Sequence, residues 1–192
     1  MNKLHIVLYQ PEIHANTGNI SRTCAITGAH LHLIRPLGFS TDDRHLRRAG
    51  LDYWDKLNIT YYDNVEDFYQ KNPDAHVFYF TTKGRARHVD VRYEGEIYLM
   101  FGPESRGLPE ELLLQHPGDC VRIPMLPTLR SLNLSNSVAI AAYEVLRRGG
   151  RVTIAARDAQ KHRHRQNGDD HFPFTVHRLL TLLYASKVSP VG

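Results

Sequence analysis

The segment EIYLMFGPESRGLPEELLLQH, residues 96–116, contains the strand, turn and helix that decide the fold. The run EIYLMFG (96–102) predicts a strand, and PEELLLQH (109–116) predicts a helix with Pro109 at its first position, where proline is favoured. Gly102 and Gly107 between them permit backbone shapes and close approaches that a side chain would block. The segment therefore predicts a strand that passes through a tight turn directly into a helix.

The same alternation of strand and helix extends along the chain in both directions. Strands are predicted at residues 4–10, 30–36, 58–63, 76–82 and 119–125, and helices at residues 16–29, 42–50, 65–72 and 134–148. Asn16 or Thr17 is expected to cap the first helix, and Gly149 and Gly150 to end the last one. This alternation predicts the α/β class, with a mostly parallel sheet and helices on both of its faces. In such sheets ligands bind beyond the carboxyl ends of the strands.

Charge and composition limit the class of protein. The 192 residues are 42% hydrophobic and 23% charged, as in a globular domain, and no apolar run reaches the roughly 18 residues of a membrane span. Lys and Arg balance Asp and Glu over residues 1–148, so the net charge of +4 lies in residues 149–192. We predict one domain over residues 1–150 and a basic tail of unassigned role over residues 151–192, either a partly disordered or a non-native segment.

Cysteine usage and the N-terminus predict the compartment. The two cysteines are far apart and match no C-x-x-C pattern, so neither a disulfide framework nor a zinc site is indicated. The first residues, MNKLHIVLYQPEIH, lack the apolar stretch and the cleavage site of a secretory signal. A cytoplasmic location without a membrane partner is therefore expected.

The turn FGPESRGLPEE (101–111) carries charge as well as glycine. Gly102 and Gly107 have the glycine spacing of a phosphate-binding loop, but Leu108 and Pro109 stand where that loop needs Lys and Ser or Thr. A P-loop nucleoside triphosphatase is therefore excluded. A dehydrogenase loses its main support as well, because no G-x-G-x-x-G follows the first strand. A tight turn would explain the glycines but not the Glu-Ser-Arg segment between them.

Two further loops lead into helices with unusual polar side chains. RIPMLPTLRSLNLSNS (122–137) places five short polar residues before the last helix, and caps would use one or two of them. Its prolines keep the strand exit extended, which leaves backbone groups free to bind an adenine edge or a ribose. PEIHANTGNISR (11–22) offers the bidentate side chain of Asn16 and the cation of Arg22, which suits a phosphate, although an exposed helical arginine is an equal alternative.

Together NTGNISR, FGPESRGLP and IPMLPTLRSLNLSNSVAIAAYE resemble the three motifs of the SPOUT family, the trefoil-knotted RNA methyltransferases. The resemblance covers residues 4–148 and implies a knot in the C-terminal half, an exception to the rule that chains are unknotted. It also implies a homodimer built from the first and last helices. Finally, it implies that S-adenosylmethionine, the methyl donor, is held by Phe80, Gly102, Ile123, Met125, Ser131 and Leu132.

Residues 46–54, LRRAGLDYW, resemble the subgroup of this family that methylates the ribose 2′-hydroxyl of the wobble nucleotide of tRNA. The implied substrate is cytidine or uridine in the anticodon stem-loop, and no metal is needed. The resemblance assigns proton removal to Arg22, with Asn16 orienting the nucleotide. A guanidinium stays protonated up to a pH of ~12 or more, so it is a poor base at neutral pH. We therefore expect Arg22 to stabilise the developing alkoxide and to clamp a phosphate.

The remaining candidate side chains complete the predicted site. Tyr143 is a further catalytic candidate, with helix packing as its alternative role. The predicted substrate-binding residues are Glu104, Asn133 and Asn136. Two other functions stay open: 2′-O-methylation of another tRNA or rRNA position, and a non-catalytic RNA-binding module that would use the basic clusters KGRARH (83–88) and RHLRR (44–48).

Overall fold

The computed structural model describes residues 3–40, 57–126 and 128–149, which belong to the first of two units of the chain, Met1–Val152. The strands there are β1 (Leu4–Tyr9), β2 (His30–Ile34), β3 (Ile59–Tyr62), β4 (His76–Phe80), β5 (Ala86–Arg87), β6 (Ile97–Phe101) and β7 (Cys120–Arg122). The helices there are α1 (His14–Thr27), α2 (Val65–Lys71), α3 (Glu110–Gln115) and α4 (Leu134–Gly149). The predicted helix 42–50, the segment 46–54 and the tail 151–192 lie outside the described residues.

All seven strands form one sheet in the order β3-β2-β1-β6-β4-β7-β5, and every pairing within it is parallel. The mostly parallel sheet is therefore confirmed. β6 lies between β1 and β4, so the chain must pass over β4 to reach β7. β7 is shorter than the predicted strand 119–125, because Pro124 has no N–H to donate to a ladder. β5, only two residues long, was not predicted.

Helices cover both faces of the sheet, as predicted. On one face α1 and α4 pack over the strands, where Ile20, Cys24, Val138 and Ala142 join one hydrophobic cluster. On the other face Phe68 of α2 and Leu112 of α3 join a second cluster. All five residues of β6 are buried because this strand is covered on both sides. None of the helices in the described ranges is long and apolar enough to cross a membrane.

The ends of α1 and α4, the two helices that border the predicted site, differ in part from the sequence predictions. α1 begins at His14, and its cap position, Ile13, makes no side-chain hydrogen bond. The prediction that Asn16 or Thr17 caps this helix is therefore wrong. Gly28 ends α1 in the left-handed conformation, with φ of 73°. α4 begins after Asn133, whose side-chain oxygen accepts the N–H groups of Ser135 and Asn136, so one of the five polar residues acts as the cap.

Candidate functional site

A cavity of about 810 Å³ opens at the carboxyl ends of β4, β6 and β7. This is the edge at which parallel sheets bind ligands, and the volume is that of a small-molecule site. Buried Phe80 and Phe101 form its floor, and Ile123, Met125 and Leu132 add apolar wall. The cavity is thus bounded by the segments that follow three adjacent strands.

The predicted cofactor-binding residues all line this cavity. They come from four separate segments of the chain, and the resemblance to the knotted methyltransferases implied all of them. The six residues are Phe80, Gly102, Ile123, Met125, Ser131 and Leu132.

A chain of side-chain hydrogen bonds joins the three motif segments at the cavity wall. Asn16, buried in the first turn of α1, donates from Nδ2 to Oε1 of Glu104 at 2.9 Å. Its Oδ1 accepts from Nδ2 of Asn133 at 3.0 Å. Asn16, Glu104 and Asn133 all line the cavity. Since each comes from a different motif, the chain fixes the relative positions of all three.

Glu104 binds the two backbone amides that directly precede α1. Its Oε2 accepts the N–H of Glu12 at 2.8 Å, and its Oε1 lies 3.3 Å from the N–H of Ile13. Backbone N–H groups at the start of a helix have no partner within the helix, and a carboxylate is favoured there by the helix dipole. The acid from the second motif therefore orders the entrance to α1.

The two loops hold each other reciprocally. The carboxylate of Glu12 accepts two hydrogen bonds from Ser105, one from its backbone N–H at 2.9 Å and one from its hydroxyl at 2.7 Å. These hydrogen bonds lower the pKa of Glu12 from its ordinary value, because they stabilise the ionised carboxylate. Arg106 in turn donates from Nη2 to Oε1 of Gln10 at 2.6 Å. The loops after β1 and β6 therefore behave as one unit.

Gly102 allows the second-motif loop to fold back on itself. A Cβ at Gly102 would lie 2.2 Å from the backbone C of Gly107 and 2.2 Å from the backbone N of Leu108. Gly107 has φ of 73°, a conformation that favours glycine. The two glycines are therefore required by the shape of the loop, and through that shape they set the cavity wall.

Three predicted residues lie outside the cavity within a single chain. Arg22 is exposed on α1, six residues after Asn16, and does not line the cavity. Tyr143 is 53% exposed on α4, and Asn136 is exposed at the start of α4. Neither lines the cavity. Their predicted roles therefore need another molecule beside α1 and α4, and they stay predictions.

The structure adds polar residues that the sequence interpretation did not assign to the site. Thr81, Thr82 and Lys83 line the cavity because β4 ends at Phe80, two residues earlier than predicted. Arg130 also lines it, beside the predicted Ser131. Lys83 begins the basic cluster KGRARH, which was a signal for a ligand-facing cation, whereas nothing in the local sequence marked the two threonines.

Residues 3–143 match the model of the SpoU rRNA Methylase family. The chain belongs to this family. The family prediction made from the three motifs is therefore confirmed. Within the SpoU family, the tRNA (cytidine(34)-2′-O)-methyltransferase of Escherichia coli strain K12 is 48% identical over 156 residues, which cover 81% of this chain and 99% of that protein.

Solved structures of the SpoU type share the fold. One, from work on the 2-OH methylation of C/U34 on tRNA, has a TM-score of 0.73 and 48% identity, covering 77% of this chain and 96% of its own. The AdoMet-bound rRNA methyltransferase of Sinorhizobium meliloti has a TM-score of 0.67 and 26% identity, covering 76% of this chain and 56% of its own. The trefoil knot itself stays a prediction.

Proposed function

We propose that this chain transfers the methyl group of S-adenosylmethionine to the ribose 2′-hydroxyl of nucleotide 34 of tRNA, a cytidine or a uridine. The observation that carries the proposal is the cavity at the carboxyl edge of the sheet, where residues from all three motifs meet. The 48% identity to the Escherichia coli enzyme over 81% of this chain supports the choice of tRNA and of the wobble position.

The cavity lining fits S-adenosylmethionine by its chemistry. Apolar side chains of Phe80, Ile123, Met125 and Leu132 would cover an adenine ring, and the hydroxyl of Ser131 would bind a ribose. When bound, S-adenosylmethionine supplies an electrophilic methyl group on a positively charged sulfur.

The protein's contribution to the reaction is mainly alignment of the hydroxyl with that methyl group. Fixed reactants lose little further entropy on reaction, which lowers the barrier. Asn16 is immobile because Glu104 and Asn133 hold both ends of its amide. It therefore orients the nucleotide at the cavity wall, with Glu104 and Asn133 as the residues that position it. Asn136 contacts the nucleotide from the exposed side of α4.

Arg22 acts in the cavity of a second copy of the chain. The outward faces of α1 and α4 expose large apolar side chains, with Ile26 60%, Ile140 41% and Tyr143 53% exposed. Burying this surface against a second copy would remove it from water. In such a dimer Arg22 approaches the other protomer's cavity, where its fixed positive charge stabilises the negative charge that develops on the 2′-oxygen as the hydroxyl releases its proton to water. Tyr143, on the same surface, reaches the nucleotide from the partner side.

The anticodon stem-loop is gripped by the cations at the mouth of the cavity. Lys83, Arg106 and Arg130 are exposed there and would contact phosphates around the methylated nucleotide. Phosphate contacts make tRNA affinity depend on salt. The slope of the logarithm of the binding constant against the logarithm of the salt concentration becomes shallower by roughly one for each contact removed. The double variant Lys83→Ala/Arg130→Ala should therefore weaken tRNA binding and flatten its salt dependence.

The function is tested by incubating the full chain with labelled S-adenosylmethionine and total tRNA, and then mapping the methylated nucleotide. One methyl group on the ribose of nucleotide 34 is expected. The variant Leu132→Glu, which places a charge in the adenine wall at a 39% exposed position, should fold normally and lose the label. Label at another nucleotide would contradict the substrate, and no label on any RNA would contradict the reaction.

The role of Arg22 is tested by mixing two inactive variants. Arg22→Ala should abolish methylation while leaving S-adenosylmethionine affinity intact, and Leu132→Glu should lose that affinity. If Arg22 acts across a twofold dimer, random mixing restores about a quarter of normal activity, because half of the dimers then hold one complete site. An inactive mixture, with dimer exchange shown by a labelled subunit, would place Arg22 outside the partner's cavity.

A further inference from the structure

Three histidines cluster on the sheet at the edge opposite the cavity. His5 lies on β1 and pairs in register with His30 on β2. His32 is two residues further along β2, so its side chain points to the same face as that of His30. His5 and His30 lie at the amino-terminal ends of their strands and His32 is the middle residue of β2, whereas the cavity lies beyond the carboxyl ends.

The ring nitrogens of this histidine cluster converge. One nitrogen of each ring lies within 4.8 Å of the other two. Nδ1 of His5 and Nε2 of His32 are 2.8 Å apart, and the rings of His30 and His32 stack with centroids 4.1 Å apart. His5 and His32 are buried at 6% and 2% exposure, while His30 is half-buried and connects the cluster to solvent.

Each histidine is held from outside by a second polar group. Nε2 of His5 lies 2.9 Å from the carboxylate of Glu96. Nδ1 of His32 is hydrogen-bonded to the hydroxyl of Tyr62 at 2.7 Å, and Nε2 of His30 to the hydroxyl of Thr60 at 2.8 Å. His5 and His32 have the arrangement of metal-binding histidines, in which the outer partner fixes the ring and directs the other nitrogen to the ion. In His30 the second nitrogen, Nδ1, also lies 3.2 Å from Nδ2 of Asn58, so an ion would displace one of the two partners of this ring.

We propose that His5, His30 and His32 form a binding site for one divalent transition-metal ion, Zn²⁺, separate from the methyl-transfer cavity. Neutral imidazole nitrogen is a preferred ligand of Zn²⁺. Water completes a tetrahedral site from the side of His30.

The His5–His32 pair requires only a small adjustment, whereas the nitrogen of His30, which lies within 4.8 Å of the other two, must move inward by up to about 1.5 Å to complete a tetrahedral site. Zn–N distances of 2.0–2.1 Å place two ligand nitrogens of a tetrahedral site roughly 3.3 Å apart, compared with the 2.8 Å between the nitrogens of His5 and His32. Rotation of the two rings that moves their nitrogens apart by a few tenths of an ångström supplies the difference. The bound ion would join the beginnings of β1 and β2, so its role is structural and methylation does not require it.

The first test is calorimetric titration of the EDTA-treated full chain with Zn²⁺ alone. One ion per chain is expected. His30→Gln removes a half-buried ligand and should weaken binding at least about tenfold, and Glu96→Gln, which removes an outer partner, by roughly ten- to a hundredfold. His76→Gln is the matched control, because it removes an exposed histidine whose partner is Asp119. It should leave affinity unchanged.

Two further measurements separate this site from other histidines and from folding defects. His162→Gln/His164→Gln removes the paired histidines of the tail segment HRHR and should preserve one strong site per chain. The unmodified chain loaded with Co²⁺ should show the intense visible bands of a tetrahedral ion, a test that needs no substitution. Methylation by His30→Gln should match that of the unmodified chain.

The proposal is overturned by any of four results, the first three concerning the ion and its proposed ligands. These are no Zn²⁺ binding by the unmodified chain, affinity unchanged in His30→Gln, or the weak visible spectrum of an octahedral Co²⁺ ion. Binding lost on substitution of the tail histidines would assign the ion to the tail instead, which also overturns it.

Discussion

Replacing Asn16 by Asp tests whether the hydrogen-bond chain between the motifs sets the structure of the site. The substitution preserves shape and exchanges only Nδ2, which donates to Oε1 of Glu104 at 2.9 Å, for an oxygen. Two carboxylate oxygens would then face each other at a position where residue 16 is 6% exposed. The bond from Asn133 to the other oxygen of residue 16 would persist.

The expected cost follows from the distance and the burial. Two unit charges about 3 Å apart repel by about 5.5 kcal/mol at an effective dielectric of 20 and by about 1.4 kcal/mol in water. Partial exposure of Glu104 places the pair between these limits, so we expect Asn16→Asp to lower the free energy of unfolding by about 3 kcal/mol near neutral pH. Repulsion raises the pKa of the new pair, so acid protonates it and restores an O–H···O bond.

The measurement is urea unfolding of Asn16→Asp and of the unmodified chain at about pH 7.5 and about pH 4.5. The difference in free energy of unfolding between the two proteins should shrink by at least about 1 kcal/mol at the lower pH, because the folded variant then binds an extra proton. Asn19→Asp, an exposed change on the same helix, should stay within about 0.5 kcal/mol at both pH values. A difference for Asn16→Asp that is small, or equal at both pH values, would refute the reasoning.

Three other changes test separate features. Gly102→Ala should lower the free energy of unfolding by about 1–3 kcal/mol and reduce S-adenosylmethionine affinity measured by calorimetry, since its Cβ would lie 2.2 Å from backbone atoms. Gly118→Ala, whose Cβ would have nothing within 4 Å, should change neither quantity. Ile140→Glu should dissociate the proposed dimer in sedimentation equilibrium, and Leu114→Glu, 73% exposed on α3, should leave it intact. Hydrogen bonds from the arginines that follow Glu144 on α4 lower the pKa of this carboxylate to about 2. The free energy of unfolding should therefore decrease as the pH is lowered below the ordinary pKa of a glutamate, and Glu144→Gln should flatten that decrease in urea titrations.

The sheet could be predicted because local apolar runs coincide with its buried strands. Residues 97–101 are apolar throughout and all buried in β6, and the polar or charged segments between runs became loops and helices. The short β5 could not be predicted, since a strand of two residues carries no periodic pattern. The entrance to α1 was mispredicted because Glu104, which binds the amides just before the helix and the side chain of Asn16, is 88 residues from Asn16 in sequence, and no local rule connects them.

The site was predictable to the extent that it depends on backbone shape within one chain. The residue pattern located the loops at the strand ends, and the family resemblance supplied the individual residues Gly102, Ile123 and Ser131, which line the cavity. Arg22 and Tyr143 are different, because both are exposed outside the cavity and their proposed roles depend on a second copy. Helical periodicity distinguishes exposed from buried positions, but it does not show which exposed positions another molecule covers.

The hydrogen bond between Asn16 and Asn133 spans 117 residues of sequence, and this separation has a consequence for biosynthesis. During translation the segment that follows β1 leaves the ribosome long before its partner, Asn133 at the start of α4, has been made. Structures that rely on such distant pairings form late and slowly. A ribosome-bound chain that ends before Asn133 should therefore have no affinity for the methyl donor, and the enzyme should gain it only in the last stage of the domain's synthesis.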